Sequence, residues 1–116
     1  MEKVFRMSFA KIYLLYIIKV EKKGQTKKEL DEIICWLTGY NEESLQEQLN
    51  NENDLESFFK NAPKINPKAL LIKGSICGYK VEEIENVTMR HIRYLDKLVD
   101  ELAKGKDLEK ILRKEN

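Results

Sequence analysis

Apolar residues recur along this chain with helical spacing almost from end to end. Phe9, Ile12, Tyr13, Tyr16, Ile17 and Val20 fall at i, i+3, i+4, i+7, i+8 and i+11, the stripe of an amphipathic helix over residues 9–22. Leu14, Leu15 and Ile18 lie off that stripe. A helix apolar on most faces sits either at the centre of a core or against another chain. Lys19, Lys22 and Lys23 suit the negative end of its dipole, and Gly24 ends it. Thr26 and Glu29 then have the spacing of a capping box. Leu30, Ile33, Ile34 and Leu37 give the second helix one apolar face, and Gly39 stops it. Asn41 caps a third helix, with Tyr40 and Leu45 placed as a hydrophobic staple and Leu49 one turn on. Asn53 with Glu56 repeats the box for a fourth, which carries Leu55, Phe58, Phe59 and Ala62 before Pro63.

The next stretch reads two ways. Asn66-Pro67 is an N-cap followed by a first helical position, and Ala69, Leu70, Ile72 and Ile76 carry a helix on to Gly78. Gly74 weakens that helix by ~1 kcal/mol relative to alanine. The apolar content and two glycines of residues 68–77 also fit a strand. Helix is preferred, with α+β carrying a short strand or hairpin within 68–81 as the alternative. Val81–Glu85 forms one short turn. Asn86 caps the clearest helix, whose stripe is Val87, Ile92, Leu95, Leu98, Val99 and Leu102 and whose stop is Gly105. Leu108, Ile111 and Leu112 mark a last short helix. No repeat, low-complexity tract or linker intervenes. The prediction is all-α, a single helical domain over residues 1–116 built as a compact bundle of about five to seven short helices.

Composition narrows the function. A chain of 116 residues, 42% hydrophobic and 35% charged, buries one core and leaves no room for a second. Its longest apolar run, Ile12 to Ile18, is seven residues between Lys11 and Lys19, far below the ~20 that cross a bilayer. Glu2 interrupts the basic start and no small-x-small cleavage site follows, which argues against a secretory signal. The expectation is a cytoplasmic protein with no membrane partner. Cys35 and Cys77 lie in apolar strings without C-x-x-C spacing, and His91 is the one histidine. That set builds no Cys/His zinc site, so no metal and no cofactor are expected and the thiols are read as free and packed.

The net charge of +1 conceals strong segregation. Residues 1–28 carry +6, 29–59 carry −9 without a single base, 60–81 carry +5 without an acid, 82–101 carry −3 and 102–116 carry +2. Blocks of this kind pair across neighbouring helices or across subunits, although exposed pairs stabilise weakly.

Three runs together resemble one bacterial family. Met7-Ser8-Phe9-Ala10, Lys23-Gly24-Gln25-Thr26-Lys27 and Trp36-Leu37-Thr38-Gly39-Tyr40 are joined in the second half by Cys77-Gly78, Val81-Glu82-Glu83-Ile84 and the long run from Ile92 to Lys106. The chain is similar over nearly its whole length to domain-of-unknown-function family 2200. Leu14 and Val87 stand where that pattern has proline. The resemblance implies a small, mostly helical, cytosolic bacterial protein and brings no activity with it.

Four places carry candidate chemistry. Lys22, Lys23, Thr26, Lys27 and Lys28 surround a glycine turn. Lys27 and Lys28 open a helix, where the dipole disfavours cations, so the turn is a candidate for phosphate or a nucleic-acid backbone. The ordinary reading is a solvated lysine-rich turn. His91, Arg93, Tyr94, Asp96 and Lys97 bracket the last long stripe as a candidate pocket or interface. Arg93 is spaced for an ion pair with Asp96, so surface pairing framing a core stripe explains them equally. Trp36, Thr38 and Tyr40 form an aromatic corner that lines a small pocket or simply packs. A nucleophilic cysteine needs a base, and nothing local puts His91 beside Cys35 or Cys77. The preferred reading is a non-catalytic helical interaction or oligomerisation module whose partner is a second copy of itself. An anion or nucleic-acid binder through residues 22–28 is the alternative, and a thiol-dependent enzyme comes third.

Overall fold

The computed structural model describes residues 2–114. Its seven helices among those residues are α1 (Glu2–Arg6), α2 (Phe9–Lys22), α3 (Lys27–Thr38), α4 (Glu42–Asn50), α5 (Leu55–Lys60), α6 (Val87–Ala103) and α7 (Leu108–Ile111). Between α5 and α6 lie two 3-10 turns, Pro67–Leu71 and Val81–Glu83, and a hairpin of β1 (Ser75–Ile76) with β2 (Tyr79–Lys80). The architecture is all-α with one small antiparallel hairpin.

Most boundaries follow the capping chemistry. Thr26 and Glu29 form both halves of a capping box at the start of α3. Asn41 does the same for α4 with Ser44, and Asn86 accepts from the Met89 amide to begin α6. Gly39 ends α3 at φ 82, and an added Cβ there would stand 2.9 Å from the backbone nitrogen of Lys64. Only glycine suits both demands.

Three local expectations need correction. The fourth helix is capped one residue later than the Asn53–Glu56 spacing implies. Asp54 accepts from the Ser57 amide, while Asn53 donates its side-chain amide to Gln48 at 2.7 Å. Residues 68–78 are not one helix. The Asn66 cap holds, with Pro67 in the first turn, but Gly74 at φ 106 and the Cys77–Gly78 pair at φ 52 and 82 cannot lie in a right-handed helix. Two successive positive φ angles are what a tight two-residue hairpin turn requires, so Ser75 pairs with Lys80 and Ile76 with Tyr79. The hairpin alternative is the correct one. The chain also begins with a helix that the periodicity did not announce. Val4 and Phe5 of α1 pack partly buried against the core beside α5.

The core gathers on α6, which touches α2, α3, α5, α7 and the hairpin. Its Ile92, Leu95, Leu98, Val99 and Leu102 are buried. Below them Phe9 of α2 stacks on Phe58 of α5 with centroids 3.7 Å apart, and Phe59 meets Phe58 edge-on. The helix over residues 9–22 is therefore not the central one. It buries Phe9, Tyr13 and Val20 and turns Leu14, Leu15 and Ile18 outward. At the other end Arg113 grips the Glu101 carboxylate through both terminal nitrogens, at 2.7 and 3.1 Å, which fastens the end of α7 onto α6.

Candidate functional site

The lysine turn is partly committed to its own chain. Lys27 Nζ lies 2.7 Å from Asp31 Oδ2 and 5.7 Å from the Tyr13 ring centroid. The Tyr13 hydroxyl donates to the other Asp31 oxygen at 2.5 Å. Its bond to Asp31 raises the Lys27 pKa, and burial followed by Asp31 pushes the Tyr13 phenol up to about 12. Glu29 already places a carboxylate on the Thr26 amide at 3.0 Å, at the end of α3 where an incoming anion would dock. Lys22, Lys23 and Lys28 are exposed.

Lys27 and Lys28 do line a cleft of about 490 Å³ with Asp31, Glu32, Cys35 and Glu42. A smaller one of about 280 Å³ shares Lys27, Asp31 and Glu42 with it and adds Tyr13, Leu45, Gln46 and Leu49. Cys35 is the nucleophile by residue type, but burial and then the charges of Asp31 and Glu42 push its thiol pKa up. A raised pKa favours the protonated thiol, the less nucleophilic form.

The aromatic corner is a packing device. Thr38 is fully buried, donates to the Ile34 carbonyl at 2.7 Å and accepts from the Tyr40 amide. The Tyr40 hydroxyl donates to the Phe58 carbonyl at 2.6 Å, its ring lies 4.9 Å from that of Phe58, and burial lifts its pKa to about 12. Trp36 is half-buried, and Asn66 bonds its carbonyl at 3.3 Å.

The five residues singled out on α6 divide between two sides of the helix. His91 lies between Phe59 and Tyr94, with ring centroids 6.2 and 6.0 Å away, and Tyr94 itself is buried. Burial, then Arg90, lowers the His91 pKa. Arg93, Asp96 and Lys97 face α2 and the hairpin instead. Arg93 Nη1 donates to Asp96 Oδ2 at 2.7 Å, the part-buried Tyr16 hydroxyl donates to Asp96 Oδ1, and the guanidinium lies 5.5 Å from the Tyr79 ring. Lys97 donates to the Ser75 carbonyl at 3.1 Å. Burial and the Asp96 charge carry the Tyr16 phenol well above its ordinary value. This group pins the hairpin and α2 to α6. Asp100 is absent from it, being paired with Lys19 and Lys104. His91 thus has ring neighbours on α5 and α6, Cys35 has Asp31 and Glu42, and the exposed Cys77 caps the hairpin.

What stands apart is the outer face of α2. Leu14, Leu15 and Ile18 are 58, 58 and 61% exposed within about one turn of helix. Scattered exposed apolar residues are ordinary, but a contiguous set rimmed by charge marks a contact surface. Lys11, Glu21 and Lys22 form that rim, all exposed, and among the described residues no ion pair engages them. The flanking residues were legible only as a helical-wheel pattern, since Lys11 precedes Leu14 by three and Glu21 follows Ile18 by three. Leu70 and Leu71, adjacent on the 3-10 turn Pro67–Leu71, and Val87 at the start of α6 are also exposed.

Among the described residues, no group of three or more His, Cys, Asp or Glu side chains is placed to hold a metal ion. Nor is any helix of these residues long and apolar enough to cross a membrane. No curated protein matches the chain. A solved structure, the crystal structure of uncharacterized protein SP1917, superposes with a TM-score of 0.92 at 41% identity, covering 98% of this chain and 93% of that one. A model for uncharacterized proteins conserved in bacteria matches residues 3–113, and the chain therefore belongs to that family, DUF2200.

Proposed function

We propose that this chain is a cytoplasmic, non-catalytic helical interaction module that docks through the outer face of α2. The observation that carries the reading is the trio Leu14, Leu15 and Ile18, each more than half exposed on a helix whose other side anchors the core. With about three-fifths of each side chain in water, burial of the remainder is worth about 1–2 kcal/mol for each, that share of the value for full burial, and a docked partner recovers part of it. The surroundings of the thiols and the imidazole support the same reading. A thiol nucleophile needs its base within hydrogen-bond reach, whereas Cys35 stands among carboxylates and His91 among aromatic rings.

A photo-cross-linker placed at residue 14 of the chain in cells tests this. Cross-linked products are expected at that position, and Ile18→Glu is expected to remove them while helical circular dichroism is unchanged. A yield at residue 14 no greater than at the exposed Lys64, beside the Gly39 corner, would overturn the proposal.

A further inference from the structure

Resting on that reading, we infer that the occupant of the α2 face is a second copy of the chain, packed two-fold with the two α2 helices antiparallel and Leu14 of each opposite Ile18 of the other. The charges on the face choose both the direction and the register. In an antiparallel two-fold pair, residues whose numbers share a constant sum stand opposite one another, because one helix runs backwards along the other. Setting Leu14 against Ile18 of the second copy fixes that sum. The same register sets Lys11 against Glu21 of the second copy at one end of the seam and Glu21 against Lys11 of the second copy at the other. Lys11 and Glu21 thereby meet opposite charges at both ends of the seam, while Lys22 falls opposite Ala10 of the second copy and meets no like charge.

Moving the seam by one residue pairs Leu15 with Ile18 of the second copy and sets Lys11 against Lys22 of the second copy. That arrangement is disfavoured by like-charge contact. Running the helices parallel about the same two-fold face puts Lys11 beside Lys11 and Lys22 beside Lys22, with the same result. The antiparallel register with Leu14 opposite Ile18 joins those two exposed aliphatic side chains, pairs Lys11 with Glu21 twice and avoids the like-charge contacts of the other two arrangements.

The interface is small. Helix α2 has 14 residues and spans about 21 Å, so one helix face supplies well under the ~800 Å² per partner of a standard interface. Association is accordingly concentration-dependent.

Sedimentation equilibrium on the full chain up to about 1 mM, the weak end of the affinity scale, tests the inference. Wild type is expected to dimerise. Lys11→Glu and Glu21→Lys each turn two opposite-charge contacts into like-charge ones and are expected to weaken the dimer about tenfold at low salt. The double swap Lys11→Glu/Glu21→Lys is expected to restore it, which no unrelated partner would produce. All four side chains changed or created lie on an exposed face, so folding is unaffected, and Lys11→Ala/Glu21→Ala serves as a neutral control with intermediate affinity. A monomer at every concentration overturns the second-copy assignment while leaving cross-linking at residue 14 to judge the docking face itself. A dimer that the double swap fails to restore overturns the register. Binding of the monomer to anionic phosphatidylserine vesicles, lost in Leu14→Glu/Ile18→Glu, overturns it in favour of a lipid surface.

Discussion

Replacing Phe58 by alanine is the sharpest test of how the molecule is held together. The ring is completely buried, stacks on Phe9 at 3.7 Å with a 10° interplanar angle, and meets Tyr40 at 4.9 Å and Phe59 edge-on at 5.1 Å. It is thus the common neighbour of α2, α5 and the corner after α3. Truncation removes the buried ring and leaves a cavity, a change that costs about 3–5 kcal/mol. The neighbours cannot close in easily, because the Tyr40 hydroxyl is tied to the Phe58 carbonyl and Phe9 is fixed by the bond from its amide to Asn53 at 2.9 Å. An unfolding entropy of about 2.1 cal/mol/K per residue, or roughly 0.24 kcal/mol/K for the chain, converts a 4 kcal/mol loss into a fall in Tm of about 16 °C. Leu14→Ala supplies the contrast. Its side chain is 58% exposed, and the change should stay within about 0.5 kcal/mol when measured on dilute protein. Urea unfolding followed by circular dichroism measures both. The reasoning fails if Phe58→Ala costs less than about 1.5 kcal/mol, half the lower bound of the expected range. It fails equally if Leu14→Ala costs as much as Phe58→Ala, since α2 would then not face outward as described.

Three further outcomes follow from the polar groups. Asp96→Ala removes the acceptor shared by Tyr16 and Arg93 and should cost about 2 kcal/mol, the scale of charge-assisted bonds; ultraviolet titration should show the Tyr16 phenol ionising at lower pH, though still above an ordinary tyrosine because burial persists, and an unchanged titration would contradict the geometry. Because burial and Arg90 hold the His91 pKa below its usual value, the unfolded chain binds that proton more readily, so stability is complete above the ordinary histidine pKa of about 6.5 and is lost as pH falls through it. His91→Phe should flatten the dependence of urea stability between about pH 7.5 and 5.5, and an identical slope in the variant would refute the assignment. Toward a disulfide reagent at mildly alkaline pH, the exposed Cys77 should react well before Cys35, whose thiol is pushed up by burial and by Asp31 and Glu42; equal rates in Cys35→Ala and Cys77→Ala single variants would count against that.

The part of the fold governed by local chemistry could be read from the residues alone. Helix α2 begins at Phe9 and ends at Lys22 as its periodicity requires, and Thr26, Asn41, Asn66 and Asn86 all cap as their spacing implies. Such features depend on neighbours three or four positions away, which a sequence displays directly. The intrahelical Arg93–Asp96 pair was readable for the same reason. The hairpin was ambiguous because its segment offered two locally acceptable solutions, and the fourth cap was misplaced by one residue because Asn53 bonds Gln48 and leaves the capping to Asp54. Gly74 tolerates a helix or a positive φ, and packing of the buried Ile72 and Val81 on either side settles the matter.

The candidate site belongs to the second category. Sequence established that Leu14, Leu15 and Ile18 form an apolar surplus on one helix, but a surplus of that kind is equally satisfied inside a core. Only the tertiary arrangement, by giving the centre to α6 and seating α2 at the periphery, turned the trio toward water. It likewise split His91 and Tyr94 from Arg93, Asp96 and Lys97, because opposite sides of one helix meet different neighbours. Spacing along the chain determines which residues share a face; long-range packing decides which faces the interior has room to bury.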